Sequence, residues 1–485
     1  MKIMFQATLL AMALNLAGCI AVGPDYQPLA GKPVEQLQGF DTELQSTASF
    51  QAEWWRQFGD PILNALVQRA ARNNLDLQMA VARLREARWL LSGTQADRLP
   101  AVDVAGTAQR SREQMAGLGS TPVSLDTYQL GFDAIWELDF FGGIRRSEEA
   151  SKASLQASQA SLRDAQVTVF AEVVRIYFEL RGTQLRLDIA RRDIGNQRDT
   201  LKLIRARSQI GSGSEQDVAT AEARLSAVEA QIPRLETRSA DAQRRLAVLL
   251  GARPGELDID LSPKTFTPVA TRLPIGGAGE VLVRRPDIRV AERELAAETA
   301  RIGVSKADFF PHISLGGFVG FLSIKGAGSD GGYFGGPDSL AWSLGPSISW
   351  SGLNVQRASA KLHASEARTD AAMANFQQTV LRALEDVSDS LTAYNEERIR
   401  VGKLLEQSQQ SKRAADLARV RYLEGATDFL ELLDAERTQL AAEDDLAQAE
   451  VAINTDTVAI YKEIGGGWEA CGDDSCSQVA RGSRE

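Results

Sequence analysis

Two hydrophobic periods alternate along this chain, and each occurs twice. Tyr128, Leu130, Phe132, Ala134, Trp136, Leu138 and Phe140 alternate with Gln129, Gly131, Asp133, Glu137 and Asp139, broken only by Ile135. Leu340, Trp342, Leu344, Ile348 and Trp350 alternate in the same way with Ala341, Ser343, Gly345, Ser347 and Ser349. Period two with one apolar face predicts strands. Small or acidic residues on the other face suit a water-filled lumen, and aromatics at the strand ends suit a membrane-interface girdle. A soluble sandwich strand with one wet face fits the pattern alone nearly as well. Less regular strands are predicted from Val102 to Arg110 and from Ile313 to Ile324, with a glycine-rich loop from Gly326 to Pro337.

The second period is helical. Val173, Leu180, Leu187, Ile194 and Leu201 recur every seven residues, with Ile176, Ala190 and Ile204 in companion positions. Leu384, Val387, Leu391, Tyr394, Val401 and Leu405 form a similar stripe later in the chain. Such heptads predict coiled-coil packing. No proline interrupts Gly143 to Gln209 or Leu353 to Tyr422, so each stretch predicts a helix about 100 Å long. Ala157, Ala160 and Ala165 would permit close helix approach, and the chain is expected to be elongated.

These elements belong to a duplicated unit. Asp76-Leu77 to Pro100 recurs as Asp287-Ile288 to Pro311, a shift of roughly 210 residues. Thr168-Val169 falls on Thr379-Val380, Gly211 on Gly425, Ala221-Glu222 on Ala435-Glu436, and Leu250-Gly251 on Ile464-Gly465. Each repeat reads as helix, strand, loop, strand, very long helix, glycine break and final helix. Pro100 and Pro311 mark the helix-to-strand switch. The expected divisions are a signal peptide at 1–18, an extended tether at 19–60, repeats at 61–262 and 273–468, and a polar tail at 469–485. Asp60-Pro61 predicts the first helix start.

The leader carries a chemical site. Lys2, an apolar run from Ile3 to Leu16 and Leu16-Ala17-Gly18-Cys19 form a signal too short to span a bilayer as a helix. Leu-Ala-Gly-Cys resembles the bacterial lipobox, which implies a diacylglyceryl group and an N-linked acyl chain, such as palmitate, on Cys19. Ile20 replaces the aspartate that would favour inner-membrane retention. A net charge of −10 with 24% charged residues disfavours nucleic acid as a partner. Cys471 and Cys476 could close a small disulfide loop, and the sequence leaves that open; a metal site there would lack histidine ligands. His312 and His363 have neither metal-ligand spacing nor a paired nucleophile, so no enzyme chemistry and no further cofactor is expected.

Four strands cannot close a barrel, for which roughly eight are needed, and an open sheet in lipid leaves edge groups unpaired. Membrane strands would therefore require an oligomer. Two chains would give a packed eight-stranded barrel, and three a twelve-stranded one with room for water. The alternative is a lipid-anchored periplasmic coiled-coil scaffold without a pore.

Several motifs together resemble the TolC-like outer-membrane factors, in particular the lipoprotein efflux subclass named after nodulation protein T. They are Leu16 to Cys19, Gly23-Pro24-Asp25-Tyr26, Trp136-Glu137-Leu138-Asp139, Arg284-Arg285-Pro286-Asp287, Ala307 to Pro311, Tyr422 to Gly425, Leu432 to Ala435 and Gly465-Gly466-Gly467-Trp468. The resemblance implies a mainly α fold with a small β part: a homotrimer whose four strands per chain build a twelve-stranded β-barrel in the outer membrane, continued by a periplasmic α-helical barrel. It implies a passive export duct, not an enzyme, working with a periplasmic adaptor and a proton-driven inner-membrane pump. Gly211 and Gly425 would then mark the periplasmic tip. Leu430, Glu431 and Asp434 match constriction positions, and Asp217 and Tyr422 match positions that link inner to outer helices. Thr427 departs from the pattern, since the best-known member has a basic residue there.

Overall fold

The computed structural model of the chain describes residues 21–28, 38–41, 43–46, 52–114, 122–264, 272–276, 283–326, 334–350 and 354–470. Cys19, Cys471 and Cys476 lie outside these residues. The elements are β1 (Gln45–Ser46), a 3-10 turn (Trp54–Phe58), α1 (Pro61–Asn73), α2 (Leu75–Ala96), β2 (Ala101–Glu113), β3 (Val123–Glu137), α3 (Gly143–Gln209), α4 (Glu215–Glu229) and α5 (Ile232–Leu249). They continue with β4 (Leu273–Pro274), α6 (Pro286–Ala307), β5 (His312–Lys325), β6 (Leu340–Ser349), α7 (Val355–Leu423) and α8 (Phe429–Glu463). From α2 and α6 onward the order is the same in both halves, except that α4 and α5 of the first stand where the second has the single helix α8. The fold is mainly helical with a small β part.

Two compact units each draw segments from both repeats: 1–30, 84–158 and 290–376 in one, and 31–83, 159–289 and 377–485 in the other. The first holds the large sheet, four antiparallel strands in the order β2-β3-β5-β6. Its register aligns Val104 with Phe132, Phe132 with Val319 and Val319 with Trp342. These four side chains are 69%, 55%, 51% and 75% exposed. A second row sets Leu130 beside Phe321 and Phe321 beside Leu340, all exposed. The apolar face of the sheet is thus exposed along all four strands, the reverse of a water-soluble sandwich. At equivalent places in the two copies, Trp136 donates its indole N–H to the Arg98 carbonyl at 2.9 Å and Trp350 donates to that of Phe309 at 3.1 Å.

The second unit has the main core. Asp60 caps α1 by accepting the Ile62 and Leu63 amides at 2.8 and 3.4 Å, with Pro61 in the first turn. Part of the expected tether is built into this core: β1 pairs in parallel with β4, and Trp54 and Trp55 are buried. Trp54 stacks on Tyr461 at 5.1 Å and Trp55 meets Phe170 edge-on at 5.4 Å. Two indoles bury too much apolar surface to remain in a free tether.

On α3, Val173, Leu180, Leu187 and Leu201 are buried, with Ile176, Ala190 and Ile204 beside them, and Ile194 is half-buried. On α7, Val387, Leu391 and Tyr394 are buried, but Leu405 is 46% exposed. The seam there runs through Val401, Leu404, Ser408, Ser411 and Ala415, alternating steps of three and four, so Leu405 is turned off it. Among the described residues no helix is long and apolar enough to cross a membrane.

Candidate functional site

The two long helices end in the same hydrogen-bonded turn. At the end of α3 the Gly211 amide donates to the Ser208 carbonyl at 3.0 Å and that of Ser212 to Arg207 at 2.9 Å. At the end of α7 the Gly425 amide donates to Tyr422 at 3.1 Å and that of Ala426 to Arg421 at 2.8 Å. Both glycines have φ of +73°, the left-handed conformation that this helix stop requires. The residue register of the repeat therefore extends to individual backbone bonds.

The following helices start alike. Ser214 caps α4 by accepting the Gln216 amide at 3.0 Å, and the Asp217 carboxylate returns to the Ser214 amide at 3.3 Å. Asp428 caps α8 by accepting the Glu431 amide at 2.9 Å. Asp217 thus serves its own helix end, a helix-start carboxylate favoured there by the macrodipole. Arg207 ties α3 to α7 at this turn. Its guanidinium lies 4.3 Å from the Tyr422 ring centroid and donates to the Tyr422 and Leu423 carbonyls at 2.8 and 3.1 Å. Tyr422 is buried and packs with Phe429, Leu432, Leu201 and Ile204.

Leu430, Glu431 and Asp434 occupy the opposite side of the α8 start from buried Phe429 and Leu432, and all three are exposed. Asp434 pairs with Arg437 at 2.7 Å. Glu431 pairs with Arg421 at 3.1 Å and accepts the Thr427 hydroxyl. Thr427 therefore does engage the α8 start, as a hydrogen-bond donor in place of a cation.

The sequence pointed to Glu436 only as a repeat match to Glu222. Glu222 accepts from Arg205 at 2.5 Å in an exposed pair. The equivalent Glu436 is buried; it pairs with Arg419 at 2.8 Å and accepts from Gln197 at 3.2 Å and Thr200 at 3.3 Å. One carboxylate thus joins α3, α7 and α8 just beyond the break. Beside it, Asp193, Arg419, Glu436 and Glu443 border a cavity of about 330 Å³. Burial pushes the Asp193 carboxyl upward, helped by the nearby charges of Glu436 and Glu443.

Both repeats, with their matching glycine-stopped helices, fall within the outer membrane efflux protein family model, which matches residues 66–252 and 278–466. The chain belongs to that family. Among outer membrane efflux proteins, it is 29% identical over 472 residues to the solvent efflux pump outer membrane protein SrpC of Pseudomonas putida, covering 96% of this chain and 98% of the relative. It is 30% identical over 468 residues to nodulation protein T of Rhizobium leguminosarum bv. viciae, covering 96% and 94%. The solved outer-membrane channel OprN aligns with a TM-score of 0.88 and 44% identity over 92% of this chain and 99% of that one. The open-state MtrE outer-membrane channel of Neisseria gonorrhoeae aligns with a TM-score of 0.79 and 29% identity over 93% and 99%. The protein is accordingly an outer-membrane efflux channel that extends into the periplasm. Members of its family work with periplasmic adaptors and inner-membrane pumps.

Proposed function

We propose that the protein acts as a homotrimer, a passive duct through which a proton-driven pump and its adaptor discharge substrate. The observation that carries this is the sheet: four strands with a continuous exposed apolar face and, among the described residues, unpaired edges at β2 and β6. Such a sheet is costly in water, and in lipid its edges must be closed by further copies. Three copies close twelve strands around an aqueous lumen. A coiled-coil scaffold would have no use for that apolar face.

In this reading Leu430, Glu431 and Asp434 form rings around the threefold axis, and the turns at Gly211 and Gly425 meet the adaptor. Cys19 carries the diacylglyceryl and N-acyl groups. The relatives bear names that refer to solvent, pyoverdine and cation efflux, and the substrate class here would be set by the pump that feeds the duct. The test is a heat-modification gel on fractionated cells. A heat-labile trimer in the outer-membrane fraction is expected, and a soluble monomer in the periplasm would refute the reading.

A further inference from the structure

Gly23-Pro24-Asp25-Tyr26 is held in a built socket. Arg146, in the first turn of α3, has a side chain only 5% exposed. Its guanidinium donates to the carbonyls of Ala21 at 3.4 Å, Val22 at 3.1 Å and Gly23 at 3.3 Å. The same group pairs with Asp25 at 2.6 Å and Glu149 at 2.7 Å. Five acceptors on one buried cation, three of them main-chain, read the backbone of this segment rather than any one side chain.

Other contacts close the socket. The Val22 amide donates to the Phe141 carbonyl at 3.1 Å, just beyond the end of β3. Gly23 and Gly303 of α6 approach so closely that a Cβ on Gly303 would lie 2.8 Å from the Val22 carbonyl oxygen and 2.7 Å from the Arg146 Cγ. The Tyr26 hydroxyl donates to Glu292 at 3.0 Å, and the Arg293 guanidinium lies 5.3 Å from its ring centroid. Burial and the Glu292 charge push that hydroxyl up to about 12, so it remains a donor. The segment thus bridges α3 of the first repeat and α6 of the second.

We propose that Arg146 is a positioning residue for the lipid anchor: it clamps residues 21–26 between α3 and α6 and so fixes where the acyl chains enter the bilayer. This rests on the reading of Cys19 as the lipidated residue. Cys19 is two residues before Ala21, and two residues span at most about 7 Å. The lipid therefore enters within about 7 Å of Ala21, whose neighbour Val22 is bonded to Phe141 just beyond the end of β3.

Hydrogen exchange on the purified full-length oligomer, read on the peptide from Ile20 to Pro28, tests the clamp. The wild-type peptide should exchange about a hundredfold more slowly than the free peptide. Arg146→Met and Gly303→Val should each restore about tenfold or more of that rate, and Arg146→Lys should fall between. Asp25→Asn, a change at an exposed side chain, should give a smaller increase and guards against misfolding of the buried variants. Protection across β3 should stay unchanged throughout. Cys19→Ser should keep the wild-type protection, because Arg146, Phe141 and Glu292 hold residues 21–26. Free-peptide exchange in the wild type, or unchanged exchange in both Arg146→Met and Asp25→Asn, would overturn the proposal, as would loss of protection in Cys19→Ser. Failure of wild-type protein to incorporate labelled fatty acid would instead remove the lipid reading and leave the clamp standing.

Discussion

At the scale of single residues, the constriction reading gives each side chain at the α8 start a distinct consequence. Asp434 has one exposed partner, Arg437, so a ring of Asp434 would present three screened carboxylates and three guanidinium groups. Asp434→Asn leaves the cations alone, and the cation-to-anion permeability ratio in single-channel recordings should fall about twofold or more. Leu430→Ala should raise conductance by widening an apolar ring. Glu431→Gln should do less, since Arg421 and Thr427 already engage that carboxylate. The repeat also supplies an internal control for charge burial. Arg419→Met leaves buried Glu436 without its cation and should cost about 1–3 kcal/mol. The equivalent Arg205→Met breaks an exposed pair and should cost under about 1 kcal/mol. Comparing thermal unfolding of the two variants measures the difference. The resemblance to the TolC-like factors singles out Glu431 and Asp434; their place at a helix start after a glycine break alone marks them only as solvated helix-start carboxylates. The sequence does not separate Glu436 from Glu222, because burial depends on which neighbouring helix covers the carboxylate, and register alone carries no such information.

At the scale of elements, periodicity was a sufficient guide wherever one face of a helix or strand meets a single partner. The stripe from Val173 to Leu201 and the stops at Gly211 and Gly425 follow from heptad spacing and glycine placement. The hydrophobic pattern places Leu405 on the seam because serine carries no apolar signal, whereas the geometry continues through Leu404, Ser408 and Ser411. The burial of Trp54 and Trp55 was hidden for another reason: their partners, Tyr461 and Phe170, are distant in sequence. Packing of α8 near α7 also brings a titration with it. Burial, followed by the charge of Glu397, pushes the Asp456 carboxyl up to about 6. The unfolded chain loses this proton in the ordinary carboxylate range, near about 4. Between these values the folded state holds more protons, so stability falls as pH rises through the window and stays lowered above it. Asp456→Asn should therefore raise the melting temperature near neutral pH and change it little near pH 4. An equal gain at both values would show that the carboxyl is not shifted.

At the scale of the whole molecule, the four-stranded sheet determines the reading of everything attached to it. The alternation in β3 and β6 is plain in the sequence, but it does not say whether the apolar face is covered. The structure sets Val104, Phe132, Val319 and Trp342 in one exposed row. Among the described residues the two edges of the sheet are unpaired, which in lipid would call for partner strands, and the family to which the chain belongs is one of outer membrane efflux proteins. The central claim is that copies of this chain together enclose a conducting pore. Single-channel recording of the detergent-purified oligomer in a planar bilayer tests it most directly. The account predicts discrete conductance steps that favour cations, that disappear when the oligomer is dissociated by heat, and that lose selectivity in Asp434→Asn. Bilayers that have taken up intact oligomer and yet show no discrete steps would contradict it.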